Sequence, residues 1–383
     1  MTAQTSKHRI VLVPGLFGFA RLGGFDYFMH VEDALERRFS ERGQSCAFTL
    51  VASPPTASIV HRTQVLIDTV EHECGDDEAP IHLVGHSTGG LDVRFLASPT
   101  AMSHHPRWFD RIETVTSITT PHWGSPLAQY FTTFAGTRVL EALSYLTYMT
   151  LRAGGPPLTI LTPLIAALGR IDFGLEVKAL ERMSDLMLSF LGQEGQEEVR
   201  HWFAQIHSDQ GAVIQLTPES MDIFSNSVED NPDCRYGCVL AYAGRPPRFN
   251  AARNLKSPTS ALSAALFSAL YAGAGRVSEV YPPPKLEPEV RNMLEGKFGR
   301  ELDPSVNDGL VPTASMVWGD VLWAGAADHL DVLGHFKGGR NSVHTDWLVS
   351  GVGFRQPRFD EVMDAVADFI LRPGASDSIP RRS

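Results

Sequence analysis

A chain of 383 residues with 43% hydrophobic and 20% charged side chains can bury a substantial core and is not disordered. Lys and Arg number 33 against 44 Asp and Glu, a net charge of −11. That balance argues against nucleic acid as a partner and against electrostatic docking on anionic membranes.

Ile10 to Val13 is a short continuous apolar run closed by Pro14 and Gly15, the pattern of a strand buried on both faces of a parallel sheet. Residues 30–43 follow with an apolar helical face at Val31, Ala34, Leu35 and Phe39. Further strands are predicted at 46–51, 81–84, 112–118, 238–242 and 321–323, and further helices at 58–74, with Ser58 as N-cap, at 89–97 and at 362–371. Strands alternating with helices predict an α/β chain with a mostly parallel, doubly wound sheet. The alternation breaks twice, at 127–215 and at 254–300, where helical patterns carry no strand. Both are expected to be helical insertions in a single domain spanning 8–372, with a disordered tail at 374–383.

Before Ile10 there is no charged n-region followed by an apolar h-region. The longest apolar stretch, Leu158 to Leu168, is too short to span a bilayer. The expectation is a soluble protein with no transmembrane segment, cytoplasmic as written or secreted if a leader has been removed. Four cysteines make no disulfide scaffold. The spacing of Cys234 and Cys238 suits neither a zinc knuckle nor a thioredoxin-like pair; one disulfide there is an alternative to the preferred reading, thiols in or beside a strand.

The strongest chemical signal is Gly85-His86-Ser87-Thr88-Gly89, which follows an apolar strand and opens a helical run. That strand–turn–helix context is what G-x-S-x-G requires. A serine on so tight a turn needs glycine on either side, and the turn lifts its hydroxyl to the carboxyl end of the sheet, beside the free N–H groups of a helix N-terminus. A carbonyl under attack also needs an oxyanion hole. Thr88 N–H offers one donor, and Leu16 N–H, in the glycine-bearing loop after the first strand, offers the other. The serine needs a base and an orienting carboxylate. Asp308 lies in the turn Asn307-Asp308-Gly309, and His329 follows the last predicted strand; His335 and His344 are alternative bases.

Together these pieces resemble the α/β-hydrolase lipases and esterases, in particular the bacterial true lipases of the Pseudomonas and Burkholderia type. The matching segments are VLVPGLFGF, HLVGHSTGG, TTPHWGSPLA, QLTPESMDIFSN, NDGLVP and DHLDVLGHF, spread from residue 11 to 336. The resemblance implies an α/β-hydrolase fold with Ser87 as nucleophile, Asp308 as acid, His329 as base, and Leu16 and Thr88 as oxyanion donors. It also implies that 127–215 is a lid. The chain departs from the family pattern in places. Pro14 stands where the family has histidine before the oxyanion glycine, and Thr88 where it often has a second histidine. Asp331 matches the first of two calcium ligands that follow the catalytic histidine, but His335 replaces the second, and 280–303 offers no acidic ligand to match the family's upstream one. Ala314 and Ser315 stand where the family's second cysteine is expected.

The expected activity is therefore hydrolysis of carboxylic esters through an acyl-enzyme, on an ester or lipid substrate and in contact with a lipid–water interface. Acyltransferase, phospholipase, polyester depolymerase or amidase chemistry on the same triad is the alternative, because a fold and a nucleophile do not fix the acceptor. No cofactor is expected, with calcium at Asp331 the one exception left open.

Overall fold

The computed structural model describes residues 8–18, 21–22, 25–133, 202, 204–206, 208–246, 258–277, 279–282, 284–338, 344, 346 and 348–372. Six strands form one sheet: β1 (His8–Val13), β4 (Cys46–Leu50), β5 (Ile81–His86), β6 (Ile112–Ile118), β7 (Arg235–Tyr242) and β8 (Asp320–Ala326). Their order is β4-β1-β5-β6-β7-β8, and every pairing is parallel. A two-stranded ribbon, β2 (Arg21–Leu22) with β3 (Phe25–Asp26), lies outside that sheet.

The apolar runs are continuous because both faces of the sheet are covered. Along β1, Ile10 and Leu12 face one layer and Val11 and Val13 the other. The first layer is α1 (Met29–Glu41) with the C-terminal helix α9 (Gln356–Leu371), which press Leu35, Phe39, Val362 and Val366 onto the sheet. The second is α2 (Ile59–Cys74) with α3 (Thr88–Ala97), contributing Leu66, Val70, Val93 and Leu96. Each such side chain buried is worth about 1.5–3 kcal/mol. Ser58 caps α2, its hydroxyl accepting from the His61 N–H at 3.3 Å. Arg38 ties α1 to α9 through Asp360 and Asp364 at 3.0 and 2.8 Å.

A polar thread crosses the sheet. His82 Nε2 meets His8 Nδ1 at 2.9 Å, and His82 Nδ1 meets Thr114 Oγ1, also at 2.9 Å. Three neighbouring strands, β1, β5 and β6, are thereby linked by side chains as well as by backbone.

Between β6 and β7 lie α4 (Pro126–Phe131), α5 (Gly211–Gln215) and α6 (Pro218–Ser227); most of the stretch expected to form the lid, 134–201, is outside the described residues. After β7 come α7 (Pro258–Ala274) and α8 (Pro288–Phe298). The tail at 374–383 is also outside the described residues.

The structure moves several predicted bounds. The C-terminal helix starts at Gln356, not at 362, because Pro357 suits its first turn and Phe359 is core. The strands β7 and β8 are longer than their apolar centres. Helix α6, capped by the Thr217 hydroxyl, buries only Pro218 and Met221 and so carries little periodicity. All four cysteines are free thiols, and no described helix is long and apolar enough to cross a membrane.

Candidate active site

Ser87 sits between the end of β5 and the first residue of α3, with φ at 54°. Few non-glycine residues adopt that conformation, and it is held here by structure on both sides. The Ser87 N–H donates to the Ile118 carbonyl at the end of β6 at 2.8 Å, and its carbonyl accepts from the Gly90 N–H at 3.0 Å. The turn is tight enough that a Cβ on Gly89 would lie 2.2 Å from the Val13 carbonyl oxygen, so glycine is required there. Thr88 opens α3, and a helix leaves its first N–H groups without intrahelical acceptors.

The loop after β1 lies directly against the serine. A Cβ on Gly15 would be 2.6 Å from Ser87 Cβ. Leu16 and Phe17 form the tip of a turn closed by the Gly18 N–H to Gly15 carbonyl bond at 3.0 Å. Phe17 takes a φ of 58°, a position usually filled by glycine. Its N–H donates to the Pro55 carbonyl at 2.9 Å, and its ring meets Trp202 edge-on.

Beneath that loop lies a wholly buried ion pair, Arg62 on α2 with Asp92 on α3. Arg62 donates to Asp92 Oδ2 at 2.9 Å, to the Pro54 carbonyl at 2.8 Å and to the Pro14 carbonyl at 2.6 Å. Burial raises the Asp92 carboxyl to about 6 against the opposing pull of Arg62. The pair joins the helix behind the serine to the loop in front of it.

Asp308 and His329 come from opposite sides of β8. Asp308 follows the long excursion from β7 and is docked at that strand's end, where the Ala243 N–H donates to the Asn307 carbonyl at 2.8 Å. Asp308 is fully buried, and its Oδ1 accepts the Leu310 and Val311 N–H groups at 2.9 and 2.8 Å. Its Oδ2 accepts from His329 Nδ1 at 2.6 Å. His329 lies in the loop after β8.

Ser87, Thr88, Leu16 and His329 line one cavity of about 160 Å³, walled otherwise by apolar side chains including Leu127, Phe131, Leu216 and Leu270. The expected nucleophile, base and two donor residues thus line the same cavity, with Asp308 bonded to the base. The alternative bases do not reach it. His335 bonds the Tyr27 carbonyl at 3.3 Å, and His344 bonds the Gly334 carbonyl at 2.6 Å and stacks on Phe336.

Asp331, the residue that the resemblance offers to calcium, is buried and accepts the Asp328 N–H at 2.9 Å. Burial, and then Asp328, raise its carboxyl well above the ordinary carboxylate range. Among the described residues no group of three or more His, Cys, Asp or Glu side chains is arranged to hold a metal ion.

Four residues near the site carry no assignment from the sequence: Tyr27, Arg62, His86 and Asp92. Arg62 and Asp92 had a signal, a charged side chain one turn from Leu66 on an apolar helix face and an acid amid the apolar run of α3.

No family model matches the chain. Two curated proteins, each named triacylglycerol lipase, are similar to part of it. The one from Pseudomonas fragi is 32% identical over 125 residues, covering 32% of this chain and 38% of that protein. The one from Vibrio cholerae is 35% identical over 124 residues, covering 32% and 35%. The matches thus span little more than a third of those relatives' length. Among solved structures, lipase 1 from Pelosinus fermentans aligns with a TM-score of 0.53 at 17% identity, over 96% of this chain and 100% of that one. Identity that low speaks for the fold alone. With the parallel sheet flanked by helices, it makes the fold that of an α/β-hydrolase.

Proposed function

We propose that this α/β-hydrolase chain is a serine carboxylic ester hydrolase of the lipase or esterase kind. One observation carries the reading: an apolar cavity is lined both by a serine held at positive φ and by an imidazole bonded to a buried carboxylate. A carboxylate only accepts, so His329 Nδ1 holds the proton and Nε2 is the bare nitrogen. Nε2 takes the Ser87 hydroxyl proton as Oγ attacks the ester carbonyl. The Leu16 and Thr88 N–H groups receive the charge that develops on the carbonyl oxygen. Collapse expels the alcohol with the proton from His329, and water, activated by the same nitrogen, hydrolyses the acyl-enzyme. Asp308 holds the tautomer and stabilises the imidazolium.

The apolar lining supports an acyl chain as the group that enters the cavity. The names of the two curated relatives support a lipid ester, triglyceride included, as substrate. The test is hydrolysis of p-nitrophenyl esters from acetate to palmitate, with a triglyceride emulsion alongside. Ser87→Ala and His329→Ala are each expected to lose about 10⁵–10⁶-fold in kcat, because the two act as a unit, while His344→Ala keeps most activity. Turnover by Ser87→Ala within tenfold of the parent would overturn the reading. Activity on soluble esters without activity on the emulsion would make the protein an esterase and not a lipase.

A further inference from the structure

Tyr27 and His86 stand between the three loops that meet at Ser87. His86 immediately precedes the serine, and both its ring nitrogens are engaged. Nε2 lies 3.0 Å from the His329 carbonyl oxygen, and Nδ1 lies 2.7 Å from the Tyr27 hydroxyl. The Tyr27 hydroxyl is also bonded to the backbone of Gly15, the residue before Leu16. Both side chains are buried, and both border the cavity.

The directions of these bonds follow from what each group can do. A carbonyl only accepts, so His86 Nε2 carries the proton and donates to His329. In a neutral ring Nδ1 is then bare and accepts, so the Tyr27 hydroxyl donates to it. The remaining lone pair of that hydroxyl accepts the Gly15 N–H. Burial keeps the imidazole neutral, holding His86 well below its ordinary value, and keeps the phenol protonated.

We propose that Tyr27 and His86 are positioning residues that bridge the oxyanion loop, the nucleophile turn and the base loop in one directed hydrogen-bonded line, from the Gly15 N–H to the His329 carbonyl. The inference rests on the ester hydrolase reading. Neither residue attacks, protonates or holds charge. The line fixes the distance between the Leu16 donor, Ser87 and His329, three groups on separate loops that backbone pairing alone does not register. An ångström of misplacement between reacting groups is enough to lower a rate about a hundredfold. A merely packed tyrosine and histidine would instead act through stability alone.

The experiment uses Tyr27→Phe, which removes one oxygen and leaves the ring in place, His86→Gln, whose amide can still donate to His329 and accept from Tyr27, and His86→Leu, which can do neither. The expected result for Tyr27→Phe is a kcat on p-nitrophenyl butyrate lower by about 10–100-fold, with KM within about threefold, and an equal slowing of fluorophosphonate labelling of Ser87. His86→Gln is expected to keep several times more activity than His86→Leu. Adding Tyr27→Phe to His86→Leu is expected to cost little further, since the line is already broken. Tyr27→Phe within threefold of the parent in kcat, or losses that multiply in the double variant, would overturn the bridge. If Tyr27→Phe does not fold, the His86 pair decides, and equal activity of His86→Gln and His86→Leu overturns it. Failure of the parent protein to hydrolyse the ester or take up the probe would instead strike the underlying reading.

Discussion

Asp308 and His329 are joined twice, ring to carboxylate at 2.6 Å and the His329 N–H to the Asp308 carbonyl at 3.1 Å. The backbone bond holds the loop after β8 against the aspartate turn whatever side chain stands at 308. In Asp308→Asn the amide oxygen keeps accepting the Leu310 and Val311 N–H groups, so its NH₂ faces His329 and forces the wrong tautomer. The expected outcome is a kcat lower by about 10⁴-fold with the fold retained. Ester turnover read beside circular dichroism checks it; a loss under tenfold would remove Asp308 from the triad.

The buried Arg62–Asp92 pair makes a prediction about stability. Arg62→Leu strands the Asp92 carboxylate in the core and is expected to cost about 3–5 kcal/mol. Arg62→Leu with Asp92→Leu is expected to recover most of that loss in urea unfolding, because no charge is then stranded. Activity is not expected to return, since the Pro14 carbonyl has lost its 2.6 Å anchor. A double variant no more stable than the single one would show that the pair itself holds the fold.

Acid should destabilise the protein through its buried histidines. Burial lowers His82 to about 3 and His30 to about 4, with His8 and His344 respectively adding to it. Both therefore titrate lower in the folded chain than in the unfolded one. Between the two values the unfolded chain binds more protons, and stability rises with pH. The contribution is complete above about pH 6.5 and is lost as pH falls towards the folded values. Near pH 4.5, His82 alone should cost about 2–3 kcal/mol. Melting temperatures from neutral pH downwards should fall less steeply in His82→Gln than in the parent. Parallel slopes would mean that His82 does not carry the effect.

Chelation should do little. Asp331 already accepts a backbone N–H, and burial beside Asp328 disfavours the charged carboxylate that a hard cation prefers. EDTA is expected to shift the melting temperature by less than about 1 °C, as it does for a protein whose folded state holds no stabilising ion. A larger drop, restored by Ca²⁺ and not by Mg²⁺, would assign Asp331 to a calcium site.

What the sequence made legible had local causes. Strands buried on both faces are apolar at consecutive positions, so Ile10 to Val13 announces itself, and Ile81 to Val84 does so with His82 as its one polar position. The serine turn needs its glycines within two residues of Ser87, and a motif records that. The residues around it were not legible, because their partners are far away in the chain. Arg62 meets Pro14 across 48 residues, and His86 meets His329 across 243. Tyr27 follows two strands of two residues each, too short for any alternation to register. His329 was one of three candidates, and only the packing of the loop after β8 separates it from His335 and His344.

The polar thread through the sheet bears on how the strands find their alignment. Apart from His82, the runs Ile10–Val13 and Ile81–Val84 are apolar throughout, so a slip of two residues between β1 and β5 would still lay mostly apolar side chains together. It would not keep His82 within reach of both His8 and Thr114. A slipped sheet would seal the imidazole nitrogens away from water without partners, at about 1–3 kcal/mol for each polar group. Three side chains thus act as an index mark on strands that carry few others, and a chain with His82 replaced by leucine should fold to a sheet with a less sharply defined alignment even where its core is just as greasy.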